Sequence, residues 1–331
     1  MREDDQVIAN LARCDILSGT GQGELESPAR QPTPFAVPAG TVLLRRGSIA
    51  DEFLLVTRVA FGAEGAERTI VVADSPILGE IALLRGGRCS ATVTAETDMR
   101  GLTGGRAAFA RLLAIPGVLQ NVMAKARQRL AAGITPVPVA LRDAVTVGLR
   151  PIFPGDRQLL AAEREHETLS DKTLYQRFFA GGPATPAMIR YLTEVDYVDH
   201  FAWVAVTSGG VSVGDVSVGG VSYVRSACDL ALADISFLIT DKFQGRGLGT
   251  LLMGAAAIAA QRNAITRFSA DVLAENVPMR AILNHAAIGW EPTTTAVVHG
   301  VFEAPDPGRF GVTPGTAAAL GAIVDTLVIR S

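Results

Sequence analysis

Cysteine is scarce in this 331-residue chain: there are three, Cys14, Cys89 and Cys228, an odd number, far apart, with no C-x-x-C and no histidine at metal-ligand spacing. That excludes a disulfide framework or a zinc cluster and points to a reducing compartment. Excess charge of one sign is lacking too, with 30 Lys and Arg against 33 Asp and Glu, so nothing draws the whole molecule to nucleic acid or to an anionic membrane. No run approaches the roughly 18 apolar residues that span a bilayer. The Ala-rich stretch 251–260 is short, ends in Gln261-Arg262 and reads as a buried core helix. Met1-Arg2-Glu3-Asp4-Asp5 lacks the basic start and apolar stretch of a signal peptide, so the expected location is the cytoplasm. What is plentiful is core-forming material, 48% hydrophobic against 19% charged residues, and the length predicts two domains.

From about residue 35 to 93, short apolar runs at 41–44, 53–56, 69–72 and 91–94 alternate with Gly, Pro and Asp, which predicts an all-β barrel or roll. Apolar spacing of three and four at 107–113 and 118–132 predicts helices that close this domain. Pro136 and Pro138 cannot continue a helix, so the boundary is expected there, giving domains 1–135 and 136–331. In the second part, 201–206 reads as a strand, 211–223 as hairpin sequence around Gly214-Asp215 and Gly219-Gly220, 234–239 as a strand and 251–261 as a helix. The tail 305–315 is rich in Pro and Gly before a last apolar helix or strand.

Between the 234–239 strand and the following helix lies Gln244-Gly245-Arg246-Gly247-Leu248-Gly249. Bare backbone N–H groups at a helix N-terminus favour an anion such as a pyrophosphate. No Lys-Ser or Lys-Thr follows, as a P-loop needs, and the order is not G-x-G-x-x-G. Q-x-x-G-x-G in this setting resembles the acyl-CoA signature of the GNAT acetyltransferases, with Asn276 downstream where that family places an asparagine beside the pantetheine arm. The likeness extends to 149–156, 173–178, 197–201 and 234–237. It implies an α/β fold with a mixed central sheet, acetyl-CoA as cosubstrate, and a cofactor site of Phe237, Leu238, Ile239, Gln244, Gly245, Arg246, Gly247, Leu248, Gly249, Thr250 and Asn276. Arg280 is expected either at a CoA phosphate or on a solvated helix face.

In that family the amine attacks acetyl-CoA directly. An ammonium with pKa about 10.4 must first lose a proton, and a glutamate on the strand before the glycine loop takes it. The matching residue here is Asp234, whose carboxylate sits about 1.5 Å nearer the backbone, so it serves as base directly or through a water, or else caps or pairs at the strand start. Many such enzymes carry a tyrosine seven residues after the asparagine to protonate the thiolate; counted so, the position holds Leu283, and nearby His285 reads as a packing or surface residue.

The segments 40–47 and 53–56 resemble the opening of a cyclic-nucleotide-binding β-roll, and Gly79-Glu80-Ile81-Ala82 its phosphate-binding cassette. The whole chain thus resembles the bacterial protein lysine acetyltransferases in which such a domain precedes a GNAT domain. The resemblance implies protein lysines as substrates, Glu80 on the ribose hydroxyl and a cassette with Arg88, Cys89 and Ser90 at its far end. The family's phosphate arginine falls on Cys89. Arg88, one place earlier in an extended segment, points to the opposite face, so cyclic AMP as effector competes with a neutral ligand or a purely structural domain. His166 matches a histidine on a segment that covers the substrate site in similar proteins, or is a helix-surface residue. Beside the protein acetyltransferase stand two alternatives: a CoA-holding regulatory paralogue with little turnover, and a small-amine acetyltransferase.

Overall fold

A computed structural model describes residues 15–17, 32–58, 61–64, 69–72, 77–160, 169–178, 185–208 and 215–329. The chain divides into two compact units, one of residues 1–129 with 329–331 and one of residues 130–328. His166 lies outside the described residues. Among those described, no single helix is long and apolar enough to cross a membrane.

The first unit is a roll of two four-stranded sheets. Strands β1 (Thr33–Val37), β8 (Met99–Gly105), β3 (Glu52–Arg58) and β6 (Ile77–Leu78) form one, in that order. Strands β2 (Val42–Leu44), β7 (Thr92–Ala95), β4 (Phe61–Glu64) and β5 (Thr69–Val72) form the other. The alternation in β7 buries Val93 and Ala95 while Thr92 and Thr94 stay nearer solvent, the period-two pattern of a half-buried strand. A short helix, α1 (Glu80–Arg85), interrupts the strands. Helices α2 (Arg106–Leu113) and α3 (Val118–Ala132) follow, and Phe109, Leu112, Val118 and Val122 pack on Phe53, Leu55 and Leu102.

The second unit is built on one eight-stranded mixed sheet in the order β15-β16-β14-β13-β12-β11-β10-β9. Its strands are β9 (Val137–Ala140), β10 (Thr146–Pro151), β11 (His200–Ser208), β12 (Asp215–Arg225), β13 (Leu232–Ile239), β14 (Arg267–Leu273), β15 (Gly289–Pro292) and β16 (Val297–Glu303). Every pairing is antiparallel except β13 with β14. Helices α4 (Asp171–Phe178) and α5 (Pro186–Thr193) precede β11, α6 (Leu248–Arg262) joins β13 to β14, α7 (Val277–His285) joins β14 to β15, and α8 (Pro314–Leu327) ends the chain. Helix α6 is apolar all round and buried, as expected of a core helix. Its run of small residues lets the sheet come close, and the Trp203 indole N–H on β11 donates to the Ala255 carbonyl at 2.9 Å.

One reading of the sequence changes. Gly219-Gly220 is no turn: β12 runs straight through it, and the ladder with β11 is irregular at Ala205/Val206. The glycines are there because neighbouring backbone leaves no room; a Cβ on Gly220 would lie 2.7 Å from the Trp203 carbonyl oxygen. The conspicuous stretch 149–156 holds a buried ion pair. Arg150 donates to both oxygens of Asp156, at 2.7 and 2.8 Å, with both side chains only 4% exposed. Asp156→Ala is expected to lower stability by about 3–5 kcal/mol, since it strands a buried guanidinium. Chemical denaturation checks this; a loss under about 1 kcal/mol, the scale of an exposed pair, would show that water reaches Arg150.

Candidate active site

The parallel ladder between β13 and β14 lasts only three residues, Leu232↔Arg267, Ala233↔Phe268 and Asp234↔Ser269. Beyond that rung both strands continue, β13 to Ile239 and β14 to Leu273, paired only on their outer edges. The sheet therefore forks, and Asp234 stands at the fork. A cavity of about 910 Å³ occupies the gap, lined on one side by Asp234 to Ile239 and on the other by Ala270, Asp271 and Val272. The β14-facing edge of β13 is left to meet an extended ligand as a further strand would.

The glycine loop closes one end of this cavity, and its glycines serve different ends. Gly245 and Gly247 have φ of 73° and 89°, left-handed geometry that a side chain resists. Gly249 is required for space: a Cβ would lie 2.5 Å from Ile282 Cδ1 on α7. Gly247 is the N-cap of α6 and supplies no side-chain cap, so the N–H groups of Leu248, Gly249 and Thr250 begin the helix without intrahelical partners. With the helix dipole they form an anion site at the cavity wall. Such a helix start suits an anionic group such as a phosphate.

Most of the residues expected at the cofactor converge here. Phe237, Leu238, Ile239, Gln244, Gly245, Arg246, Gly247, Gly249, Thr250 and Asn276 all line the cavity. The Gln244 amide donates to Thr173 Oγ1 and to the Ile239 carbonyl, both at 3.1 Å, and so ties α4 to the loop. Asn276 caps α7, its Oδ1 accepting from Met279 N at 3.2 Å. Two expectations are corrected. The Leu248 side chain is 1% exposed in the core, so only its backbone faces a ligand. Arg280 is absent from the lining: its guanidinium donates to the Ala274 carbonyl at 3.0 Å and lies over the Trp290 ring. Leu283 is buried in the core, whereas His285 lines the cavity, its Nε2 3.0 Å from the Arg309 carbonyl and its ring against Phe310.

Asp234 lines the cavity and is exposed by surface area, while the protein packed around it removes part of the hydration of its carboxylate. Burial, reinforced by the negative charge of Asp271 and opposed by Arg177, His299 and a Ser269 hydrogen bond, pushes its pKa up to about 6. Arg177, on α4, donates to Ser236 Oγ at 2.8 Å, and Ser236 pairs with Ser222 at 3.0 Å. Arg142, Arg177, Asp271 and Arg309 all line the cavity, and local motif reading misses them because they come from four separate segments.

Residues 146–287 match the acetyltransferase (GNAT) domain family. Acetyltransferase Pat from Mycolicibacterium smegmatis is 37% identical over 303 residues, 90% of this chain and 89% of that protein. The chain belongs to the Pat family of two-domain GNAT acetyltransferases. The solved cAMP-binding acyltransferase from Mycobacterium smegmatis aligns over 99% of both chains at 32% identity and a TM-score of 0.50. An acetyltransferase from Pseudomonas aeruginosa is 30% identical over 145 residues, 43% of this chain and 74% of that one. The protein is accordingly a GNAT acetyltransferase that uses acetyl-CoA, and its N-terminal β-roll is a cyclic-nucleotide-binding-like domain.

In that first domain Gly79, at φ 85°, caps α1, and the Ala82 and Leu83 carbonyls accept from the closing Gly86 N–H. Glu80 is 1% exposed and accepts from Arg129 Nη1 at 2.5 Å; burial pushes its carboxyl up, against the pull of Arg129. Cys89 is buried in one cluster with Ala50 and with Ala82 of α1, so it faces the cassette. Arg88 is exposed, and its Nη1 donates to the Gly47 carbonyl at 2.7 Å. Ile81 is half-buried and Ser90 exposed. The alternation thus turns the arginine outward and the cysteine inward, at the place where the family's arginine would meet a phosphate.

Proposed function

We propose that this enzyme transfers the acetyl group of acetyl-CoA to the Nε of lysine side chains in proteins of the cytoplasm, with Asp234 as general base, under control of the N-terminal domain. The observation that supports this best is the position of Asp234 at the fork of β13 and β14, with a pKa of about 6. At neutral pH such a group is ionised yet a stronger base than an ordinary aspartate.

The N–H groups at the start of α6 hold the phosphates, and the open edge of β13 aligns the pantetheine arm. An ammonium arriving from the open face gives one proton to Asp234, directly or through a water. The nitrogen lone pair then attacks the thioester carbonyl carbon, the C–N bond forms, and the C–S bond breaks. The second nitrogen proton goes to the departing thiolate, so the products are an amide, free CoA and a protonated Asp234 that returns its proton to water. With Leu283 in the core, no side chain at that position assists the thiolate.

The test combines a product and a profile. With acetyl-CoA and a lysine peptide, mass spectrometry should find Nε-acetyl-lysine. As the base must be unprotonated, kcat/KM should rise about tenfold per pH unit below about 6 and level off above it, until the amine titrates near 10.4. A profile with no acid limb, or an acid limb unchanged in Asp234→Asn, would remove Asp234 from the role.

The N-terminal domain is proposed as a regulator whose anion pocket has changed. The similar M. smegmatis protein is described as cAMP-binding. Here Cys89 faces the cassette, so cyclic AMP is expected to bind weakly and a less anionic ligand to be favoured.

A further inference from the structure

Asp271 and His299 take no part in the proton-transfer and acyl-transfer steps. Asp271 lies two residues beyond Ser269 on β14, so its side chain shares the sheet face that carries Asp234. The β14–β16 ladder sets it directly opposite His299, whose Nδ1–H donates to Asp271 Oδ1 at 2.9 Å. Asp271 lines the same cavity as Asp234, but on the other arm of the fork. Two carboxylates thus flank the opening where β13 and β14 part. Arg177 stands near Asp234 and is engaged with Ser236, and the His299 ring is engaged with Asp271. Like charges at such a place are unfavourable until a cation lies between them, and an ammonium is such a cation.

We propose that Asp271, held in place by His299, is the second carboxylate of the acceptor site: it binds the ammonium of the incoming lysine beside Asp234 and selects cationic amines over neutral acceptors. This rests on the lysine reading of the reaction. Asp271 contacts the substrate, while His299 is a positioning residue that fixes the carboxylate through its Nδ1–H.

The groups facing Asp234 are Arg177 from α4, Ser269 and Asp271 from β14 and His299 from β16; Val224, opposite it on β12, carries no charge. In Asp271→Asn the KM for a lysine peptide should rise about two- to fivefold, the scale of one exposed ion pair, while the KM for acetyl-CoA holds. The acid limb of the pH profile should move to lower pH, because a neighbouring negative charge has gone. His299→Gln should give a smaller change in the same direction. Two readouts need no turnover: calorimetric binding of n-butylammonium to the full chain, which should weaken in Asp271→Asn, and carboxyl NMR of Asp234, which should titrate lower. Unchanged n-butylammonium binding with an unmoved Asp234 titration would overturn the proposal. If wild type acetylates small amines but no lysine peptide, the lysine reading fails, and those two readouts still decide the role of Asp271.

Discussion

Asp234→Asn lowers kcat/KM for the amine acceptor by about a hundredfold to ten-thousandfold, the usual contribution of a positioned base, with acetyl-CoA affinity retained. The substitution keeps the shape of the side chain and removes only its basicity, so the loss measures proton transfer rather than packing. Nothing in the phosphate end of the site touches this residue: the α6 N-terminus and the glycine loop lie along the opposite stretch of the cavity. Arg177 keeps its bond to Ser236 but loses the nearby negative charge of Asp234, so circular dichroism must first show that the variant keeps its fold. Steady-state kinetics with a lysine peptide, and calorimetry with acetyl-CoA, separate the two effects. Retention of activity within about threefold would mean that the amine reaches the thioester already neutral, and that Asp234 is a strand-end polar group.

The second large effect is expected in the other unit, and it is a gain. Cys89→Arg should tighten cyclic AMP binding by about thirtyfold to several-thousandfold, the equivalent of about 2–5 kcal/mol for a desolvated charge pair. The geometry supports the cysteine position over its neighbour. Cys89 packs against Ala82 of the cassette helix, whereas Arg88 reaches outward to the Gly47 carbonyl. Arg88→Ala should therefore leave cyclic AMP affinity within about twofold of wild type, which excludes a rearranged Arg88 as the phosphate partner. The buried arginine needs room, so circular dichroism must first show that the variant keeps its fold. Equal affinity of wild type and Cys89→Arg would mean that the phosphate is met elsewhere, or that the roll binds no cyclic nucleotide.

Several features are legible in the residues alone. The period-two runs specify the roll, the period of 3.6 specifies α2 and α3, and the buried alanine helix is evident from its apolar run with a polar end. The glycine loop reads as an anion site because a positive φ and a close approach both leave glycine as the residue that fits, as Gly247 and Gly249 illustrate. The one-residue offset of Arg88 from the cassette position also follows from strand alternation, and the buried cysteine and outward arginine agree with it. Local reading fails where two segments meet. Gly219-Gly220 reads as a turn because composition cannot tell a turn glycine from one pressed by neighbouring backbone. Arg280 reads as either a phosphate contact or a solvated helix-face residue because its helix follows the site, yet its guanidinium is held by Trp290 and the Ala274 carbonyl.

Both folds, the glycine-bordered helix start and the carboxylate proposed as the base are legible in the chain itself, because each is signalled by residues within a few positions of one another. The strength of that base and its surroundings are settled by packing in three dimensions. The raised pKa of Asp234 comes from burial and from Asp271, with Arg177, His299 and Ser269 opposing, groups brought together from one helix and two other strands. Electrostatic energies fall with distance through space, not along the chain, so a carboxylate on the neighbouring strand can set the proton affinity of the base while its own sequence neighbours do not.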